Sequence, residues 1–252
     1  MPRAIVHETL GFTSAGGTSV TTGGAHAKGS WVSLGTPGAS WQEFDVALMA
    51  SASTVRWVFD ISIGASNDII VSNVFAFPGA VVPFRVRLPV FLPAGVEVFV
   101  RAQASSATQV GIFALRGAKT FPGGTGAHRG AEAINIDLAS TRPAAGNVPL
   151  DNSWAEISAS LSREYRAFLF SVTDNGTSPV TSQTASVALG AGASGSEAEL
   201  SRLLARITAG TAAIIGPPAL VETPLAAGQR LVARAQATTT GDNLRVPVMG
   251  LY

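Results

Sequence analysis

The sequence predicts an all-β fold of two tandem antiparallel β-sandwich domains, jelly-roll-like in type, with an extended N-terminal arm. Two observations predict it. Apolar and polar residues alternate with a period of two in several segments, as in strands that bury one face. A set of short motifs also occurs twice in the same order along the 252 residues. We therefore interpret the chain as a duplication of one unit of about a hundred residues, near the usual domain size.

The repeated motifs are a Ser-Trp pair, a Gly-Ala-Ser turn, an Ala-Gly turn and the sequence Arg-Ala-Gln-Ala. Trp31 and Trp154 are 123 positions apart, and Arg101 and Arg234 are 133 apart. The offset grows only where loops would have lengthened. We expect Trp31 and Trp154 to be core anchors. Arg101 and Arg234 are expected to be equivalent structural residues that pair with backbone carbonyls or a carboxylate.

Residues 1–27 are predicted to form the arm. They are rich in Gly, Thr and Ser, and their few apolar residues cannot form a core. We expect the arm to be ordered only by contact with another subunit or with the chain's own sandwich. The alternative is a simple tail.

Residues 28–117 are predicted to form the first sandwich. Strands are expected at 43–48, 57–63 and 96–104, because apolar residues alternate there or form a short run. The segment 64–68, Gly-Ala-Ser-Asn-Asp, suits a turn. Residues 118–147 contain Gly- and Pro-rich stretches and are predicted to be a linker.

Residues 148–252 are predicted to form the second sandwich. Tyr165 and the apolar residues after it align with Trp41 and the apolar residues that follow Trp41. Residues 245–252 are predicted to form a last strand. The sequence Asp174-Asn175-Gly176 predicts a turn. The segment 196–207 fits less well. Its Ser-Glu-Ala-Glu start resembles a capping box and its leucines have helical spacing, so a helix is favoured, although the corresponding 69–71 looks like a strand.

The composition narrows the class of function. Charged residues are 13% of the chain, about half the usual share, so we expect part of the surface to be covered by other protein. A net charge of +1 gives no reason to expect nucleic acid or a membrane surface as partner. The absence of cysteine excludes disulfides and thiolate metal sites. The N-terminus lacks a signal-peptide core, so synthesis in the cytoplasm is expected.

Residues suited to catalysis are few. His7, His26 and His128 fall in Gly-rich segments, and no hydrolase, phosphate-binding or zinc motif is present. We therefore predict no catalytic residue, cofactor or metal, and interpret the segments 64–68 and 173–176 as turns rather than calcium loops. A carboxylate pair among Glu43, Asp45 and Asp60 would belong to one repeat only.

Sugar binding is harder to exclude, because β-sandwich modules bind glycans by stacking exposed aromatic rings on sugar faces. Trp41 and Trp57 are the candidates for glycan or partner contact. The first repeat also carries more aromatic residues, including Phe75, Phe77 and Phe84. We expect it to anchor the protein while the second repeat presents longer loops at 173–184 and 208–219.

The repeats resemble a β-sandwich module of minor virion structural proteins in tailed bacteriophages and gene transfer agents. The resemblance rests on the Lys28-Gly29-Ser30-Trp31 opening, the small-residue turn, and Leu92-Pro93-Ala94-Gly95 before Arg101-Ala102-Gln103, with their second copies. The second copy lacks the Lys-Gly opening and has Ala226 in place of Pro93.

The resemblance implies a component of a virion that is assembled in the host cytoplasm with other virion proteins. It would be a tail-tip or fibre-associated module, with host surface polysaccharide as a candidate contact, or a head decoration or spike protein. Two rivals stay open. They are a free carbohydrate-binding module and, less favoured, an enzyme.

Overall fold

The computed structural model describes residues 7–13, 16–50, 55–78, 83–119, 128–143, 148–174, 182–207, 218–238 and 243–252. Every regular element in these ranges is a β-strand, which confirms the all-β prediction. The chain divides into two compact units. The first comprises residues 1–132 and 138–141, and the second comprises 133–137 and 142–252.

The first unit is a sandwich of two sheets. Its strands are β1 (His7–Leu10), β2 (Thr18–Thr21), β3 (Val32–Gly35), β4 (Trp41–Ala50), β5 (Trp57–Ile63), β6 (Asp68–Ala76), β7 (Phe84–Leu88), β8 (Val98–Ala104), β9 (Val110–Lys119) and the start of β10 (Ala131–Ala133). One sheet has the order β1-β9-β4-β7, with β2 also on β9, and the other has the order β10-β6-β5-β8-β3. The two sheets bury their facing residues, and the rings of Phe59 on β5 and Phe113 on β9 meet edge to face at 5.5 Å.

The predicted arm is part of the first sandwich. Strands β1 and β2 both pair antiparallel with β9, and Leu10 and Val20 are buried at 7% and 0% exposure. The described part of the predicted arm, residues 7–13 and 16–27, therefore belongs to the first compact unit. We expected either another subunit or the chain's own sandwich to order the arm, and the described part of the arm pairs with the chain's own sandwich. The side of β9 that does not face β4 has backbone groups that need hydrogen-bond partners, and β1 and β2 supply them. Residues 1–6 lie outside the described residues.

The predicted linker also carries structure. Within residues 128–143 lie β10, β11 (Ile136–Asp137) and β12 (Arg142–Pro143). Strand β10 runs parallel to β6, with Ala131 opposite Val71 and Glu132 opposite Ser72. The buried Gln103 amide donates to the Leu138 carbonyl at 2.8 Å. The linker prediction is therefore wrong for this stretch, whose backbone supplies partners that the sandwich needs.

The second unit is a smaller sandwich. Its further strands are β13 (Val148–Pro149), β14 (Ala155–Ser158), β15 (Ala167–Phe170), β16 (Thr173–Asp174), β17 (Gln183–Ala191), β18 (Ala198–Ile207), β19 (Ala219–Val221), β20 (Leu231–Ala237), β21 (Asn243–Arg245) and β22 (Val248–Leu251). A sheet β14-β20-β17-β18 shares a core with the strands β19-β15-β22, and β13-β21-β16 and the pair β11-β12 add two small sheets. The turn predicted at Asp174-Asn175-Gly176 extends beyond the described residues.

The helix favoured for 196–207 is wrong, because this segment forms strand β18. It pairs antiparallel with β17 over nine residue pairs, with Val187 opposite Leu203. The capping-box glutamate, Glu199, serves other contacts, since it accepts hydrogen bonds from Arg202 at 2.6 Å and from Arg234 at 2.9 Å. The free edge of β17 overrides the helical spacing of the leucines.

The two units repeat one packing detail. Trp41 forms a β-bridge with Leu92 and its ring lies against the backbone of Gly117. Tyr165 forms the equivalent bridge with Leu225, and its ring lies against Gly250. Both rings are buried, at 0% and 2% exposure. A bulge also recurs where β5 meets β6 and where β17 meets β18. The duplication is therefore visible in the packing as well as in the motifs.

Alanine at Gly117 or Gly250 should destabilise the unit that contains it. A Cβ at either position would overlap the ring of Trp41 or Tyr165, and a buried ring has little room to move. We expect each variant to lower the free energy of unfolding by about 2 kcal/mol or more, measured by urea denaturation. The control is Gly24→Ala, whose Cβ meets nothing within 4 Å. Equal stability of the control and the two core variants would contradict this packing.

Candidate functional site

A tryptophan, an arginine and a carboxylate form a cluster on the first unit, which we call the first stack. The guanidinium carbon of Arg101 lies 4.4 Å from the centroid of the Trp31 ring. The Arg101 Nε donates to Asp60 Oδ2 at 2.8 Å. Asp60 and Arg101 are directly opposite each other on β5 and β8, so the sheet register brings them together. The cation–π contact and the ion pair fix the guanidinium from two sides.

The second unit has an equivalent cluster, the second stack. The Arg234 guanidinium carbon lies 4.4 Å from the centroid of the Trp154 ring. Arg234 also donates to Glu199 Oε2 at 2.9 Å. Ala188 stands opposite Arg234 where the first unit has Asp60, so the carboxylate comes from β18 instead. The Trp–Arg contact is therefore the part common to both repeats, and its carboxylate is supplied from different strands.

The first stack extends inward to a buried charge cluster. Asp60 has no exposed surface, and its Oδ2 accepts from Lys28 Nζ at 2.5 Å as well as from Arg101. Its Oδ1 accepts from the Asn73 backbone amide at 2.8 Å, and Lys28 also donates to the Asn73 side-chain oxygen at 2.6 Å. Three donors thus satisfy one buried carboxylate.

The cluster also explains a bulge in β6. Ser72 and Asn73 together stand opposite Asp60, and Asn73 adopts a left-handed φ of 58°. A bulge leaves an amide without a partner in the strand ladder, and the Asp60 carboxylate accepts it. In the second unit Ala188 pairs with Arg202 with no shift of register at that position. The sequence signal was an aspartate inside the apolar run 57–63, which we had considered only as part of a catalytic pair.

The tryptophan assignments need correction. Trp41 and Trp57, the candidates for glycan or partner contact, are both 0% exposed and cannot present a ring face on the surface of this chain. The Trp41 indole donates to Glu8 on β1 at 3.0 Å. Trp31 and Trp154, expected in the core, are instead partly exposed beneath their arginines. The buried and surface tryptophans are therefore the reverse of the expectation.

The aromatic residues expected on the surface of the first repeat are also mostly core. Phe75 and Phe84 are buried at 6% and 8% exposure, as Trp41 and Trp57 are. This removes the observation on which we based an anchoring role for the first repeat. The large apolar side chain with the greatest exposure among the described residues is Leu204 on β18, at 76%, followed by Phe12 at 57%.

The carboxylates considered for catalysis are not brought together. Glu43 and Asp45 lie on β4 and Asp60 lies on β5, which belong to different sheets of the first unit. Glu43 forms an exposed ion pair with Arg87, and that carboxylate raises the pKa of the Arg87 guanidinium. Asp60 is enclosed by Lys28 and Arg101. None of these contacts leaves two facing carboxylates with space between them for a substrate.

The histidines and the proposed turns have structural contacts. His26 Nδ1 lies 2.8 Å from the Thr141 hydroxyl, His128 exchanges backbone hydrogen bonds with Pro89 and Phe91, and His7 is exposed on β1. The segment 64–68 forms a turn in which the Asn67 amide donates to the Gly64 carbonyl at 3.1 Å. Within the described ranges, no group of three His, Asp or Glu residues could hold a metal ion.

Charged residues on the second unit form two sets of ion pairs. Arg230 bridges Glu156 and Glu197, each at 2.9 Å. Glu199 binds both Arg202, at 2.6 Å, and Arg234. Hydrogen bonds from Arg202 and Arg234 lower the pKa of the Glu199 carboxyl from 4.5 to about 2, which exceeds the opposing effect of its partial burial. Neighbouring side chains thus neutralise these charges within the unit.

Comparisons with known proteins give folds of low similarity. No family model and no curated protein matches the sequence. Among solved structures, the STIV MCP has a TM-score of 0.44 at 11% identity over 99% of this chain and 96% of that one. A structure of Sulfolobus Turreted Icosahedral Virus has a TM-score of 0.44 at 10% sequence identity, and the match covers 98% of this chain and 90% of that one. Recombinant peptide:N-glycanase F has a TM-score of 0.41 at 7% sequence identity, and the match covers 97% of this chain and 95% of that one. At TM-scores this low, the matches do not bear on the function of this chain.

The described residues include no helix that is long and apolar enough to cross a membrane.

Replacing Asp60 by asparagine should strongly destabilise the first unit. The variant leaves Lys28 and Arg101, whose side chains are 19% and 28% exposed, beside a neutral amide, and breaking a buried ion pair costs at most about 3 to 5 kcal/mol. Urea denaturation of Asp60→Asn measures this loss. The matched control is Glu43→Gln, whose partner Arg87 is 66% exposed, and we expect a change of about 1 kcal/mol or less. A loss as small for Asp60→Asn as for the control would exclude the buried cluster.

The contribution of Glu199 to stability should depend on pH. Because its folded pKa lies below its ordinary value, the stabilisation is fully present above pH 4.5 and is lost as the pH falls towards 2. The difference in unfolding free energy between the native protein and Glu199→Gln should therefore be largest near neutral pH and shrink through this window. Added salt should reduce it, since the ion pairs are partly exposed. A difference that stays constant with pH would show that Glu199 is not ion-paired.

Proposed function

We propose that this chain is a non-enzymatic structural protein of a phage-type virion, where it serves assembly. The observation that carries the proposal is the nature of the duplicated feature. Both units keep a tryptophan with an arginine stacked on it, at the same 4.4 Å, and both pair that arginine with a carboxylate of the same unit. Such a cluster stabilises a sheet surface and leaves its charged groups occupied.

The charged groups elsewhere support the same role. The carboxylates that we considered for hydrolysis, Glu43 and Asp60, are held by arginine or lysine partners. A general acid or base needs contact with its substrate, and a nucleophile needs an open approach. Together with the resemblance of the repeats to a virion module, this favours a role in building a particle over a role in chemistry.

The partners in this proposal are other virion proteins and further copies of the chain. The low charge content and the exposed apolar residues, led by Leu204 and Phe12, supply surfaces that such contacts would cover. Virion positions are symmetric, so we expect a homo-oligomer.

We propose a tail-tip or fibre-associated position, with contact to the host surface and polysaccharide as the candidate ligand. A head decoration or spike protein is the second candidate, since a low-charge sandwich also suits a protein that neighbours cover on several sides. The burial of Trp41 and Trp57 removes the aromatic residues on which a dedicated carbohydrate-binding module was based.

Fractionation of particles tests the structural role. Virions or virus-like particles are purified on a density gradient from cells that carry the gene, washed in high salt, and analysed by quantitative mass spectrometry. We expect the chain to co-purify at a fixed ratio to the major particle proteins. Immunogold labelling then separates the two positions, because label at the tail tip supports the first and label over the head supports the second. A chain found only in the soluble fraction would overturn the structural role.

A further inference from the structure

The two units treat one sheet edge differently. In the first unit β6 is followed outward by β10, which runs parallel to it with Ala131 opposite Val71. In the second unit β18 takes the place of β6. Both strands pair with the strand before them in the chain, and both carry a bulge at the same position of the repeat. Within the described ranges of the second unit, no strand pairs with the outer edge of β18.

Among the described residues, an edge of this length without a partner strand is unusual. Strand β18 has ten residues, and proteins commonly protect such edges because their free amides and carbonyls pair with other chains. Leu204 on this strand is 76% exposed. The bulge does not prevent pairing, since β6 carries the same bulge and still accepts β10.

The first unit also indicates what chemistry would fit this edge. Glu132 of β10 stands opposite Ser72 of β6, within the bulged pair that faces Asp60. In β18 the corresponding position is Arg202, which is paired with Glu199 but keeps 41% of its side chain exposed to a further carboxylate. A strand that pairs with β18 in the way that β10 pairs with β6 would therefore place an acidic residue, the equivalent of Glu132, beside Arg202. Small residues, the equivalents of Ala131 and Ala133, would stand on either side of it.

We propose that β18 is a strand-addition site for an extended segment of another virion protein, parallel to β18, with small residues flanking an acidic residue opposite Arg202. Main-chain hydrogen bonds to the β18 edge supply the affinity, and the charge pair with Arg202 sets the register. This inference rests on the proposed structural role for the source of the segment. Strand addition itself is measured on purified protein, so it and particle incorporation can fail separately.

The probe is a fluorescent peptide with the sequence of residues 128–137, His-Arg-Gly-Ala-Glu-Ala-Ile-Asn-Ile-Asp. Binding to the full-length chain is followed by fluorescence anisotropy, and the site is located by hydrogen exchange. We expect saturable binding and slower amide exchange within 198–207. Arg202→Glu should weaken the peptide at least tenfold, and a peptide carrying lysine in place of Glu132 should recover most of that loss.

Two further variants keep the test decisive. Leu204→Lys places a charge at an exposed position of β18, should leave the circular dichroism spectrum unchanged, and should abolish binding. Phe12→Lys, the matched exposed control on the first unit, should not affect binding.

Three results would overturn the proposal. They are no binding by the native chain, protection confined to other strands, and self-association through β18 that excludes the peptide, which would assign this edge to a second copy of the chain.

Discussion

The contact on which each unit depends is an aromatic ring packed against the backbone of a glycine. Trp41 lies on Gly117 and Tyr165 lies on Gly250. In both units a β-bridge to a leucine holds the backbone of the aromatic residue, Leu92 for Trp41 and Leu225 for Tyr165. A side chain on the glycine would separate the neighbouring strands, so ring and glycine must be kept together. Positions on the outer faces are under no such constraint, and there the two repeats have diverged.

That divergence is clearest in the polar clusters. The first unit buries an aspartate with a lysine and an arginine, and bends β6 around it. The second unit has Ala188 at the aspartate position and no bulge opposite it. Its arginine–glutamate pairs are partly exposed. The Trp–Arg contact persists through this change. It joins a strand arginine to a tryptophan just before β3 or β14, and the carboxylate comes from β5 in the first unit and from β18 in the second.

The sequence predicted the strands well where alternation was regular, and strand β5 matches its predicted bounds of 57–63. The predicted inner faces of β4 and β8 are buried as expected, and the prediction failed instead on the burial of Trp41 and Trp57. A bulge between Trp41 and Glu43 shifts the phase, so that Trp41 and Phe44 are both buried despite their odd spacing. Six of the seven residues of β5 are buried, which removes any alternation that would reveal Trp57 as core. Strand β18 was missed because the spacing of its leucines carries no information about β17, the strand with which it pairs.

Our central proposal is that this duplicated sandwich contributes to a particle through the outer edge of β18, which has no partner strand among the described residues. Cryo-electron microscopy of the purified particle, at a resolution that separates strands, tests this most directly. The account predicts density for one additional strand beside β18, contributed by a neighbouring protein and running parallel to it. A map in which the outer edge of β18 faces solvent, while the chain is held by other surfaces, would contradict it.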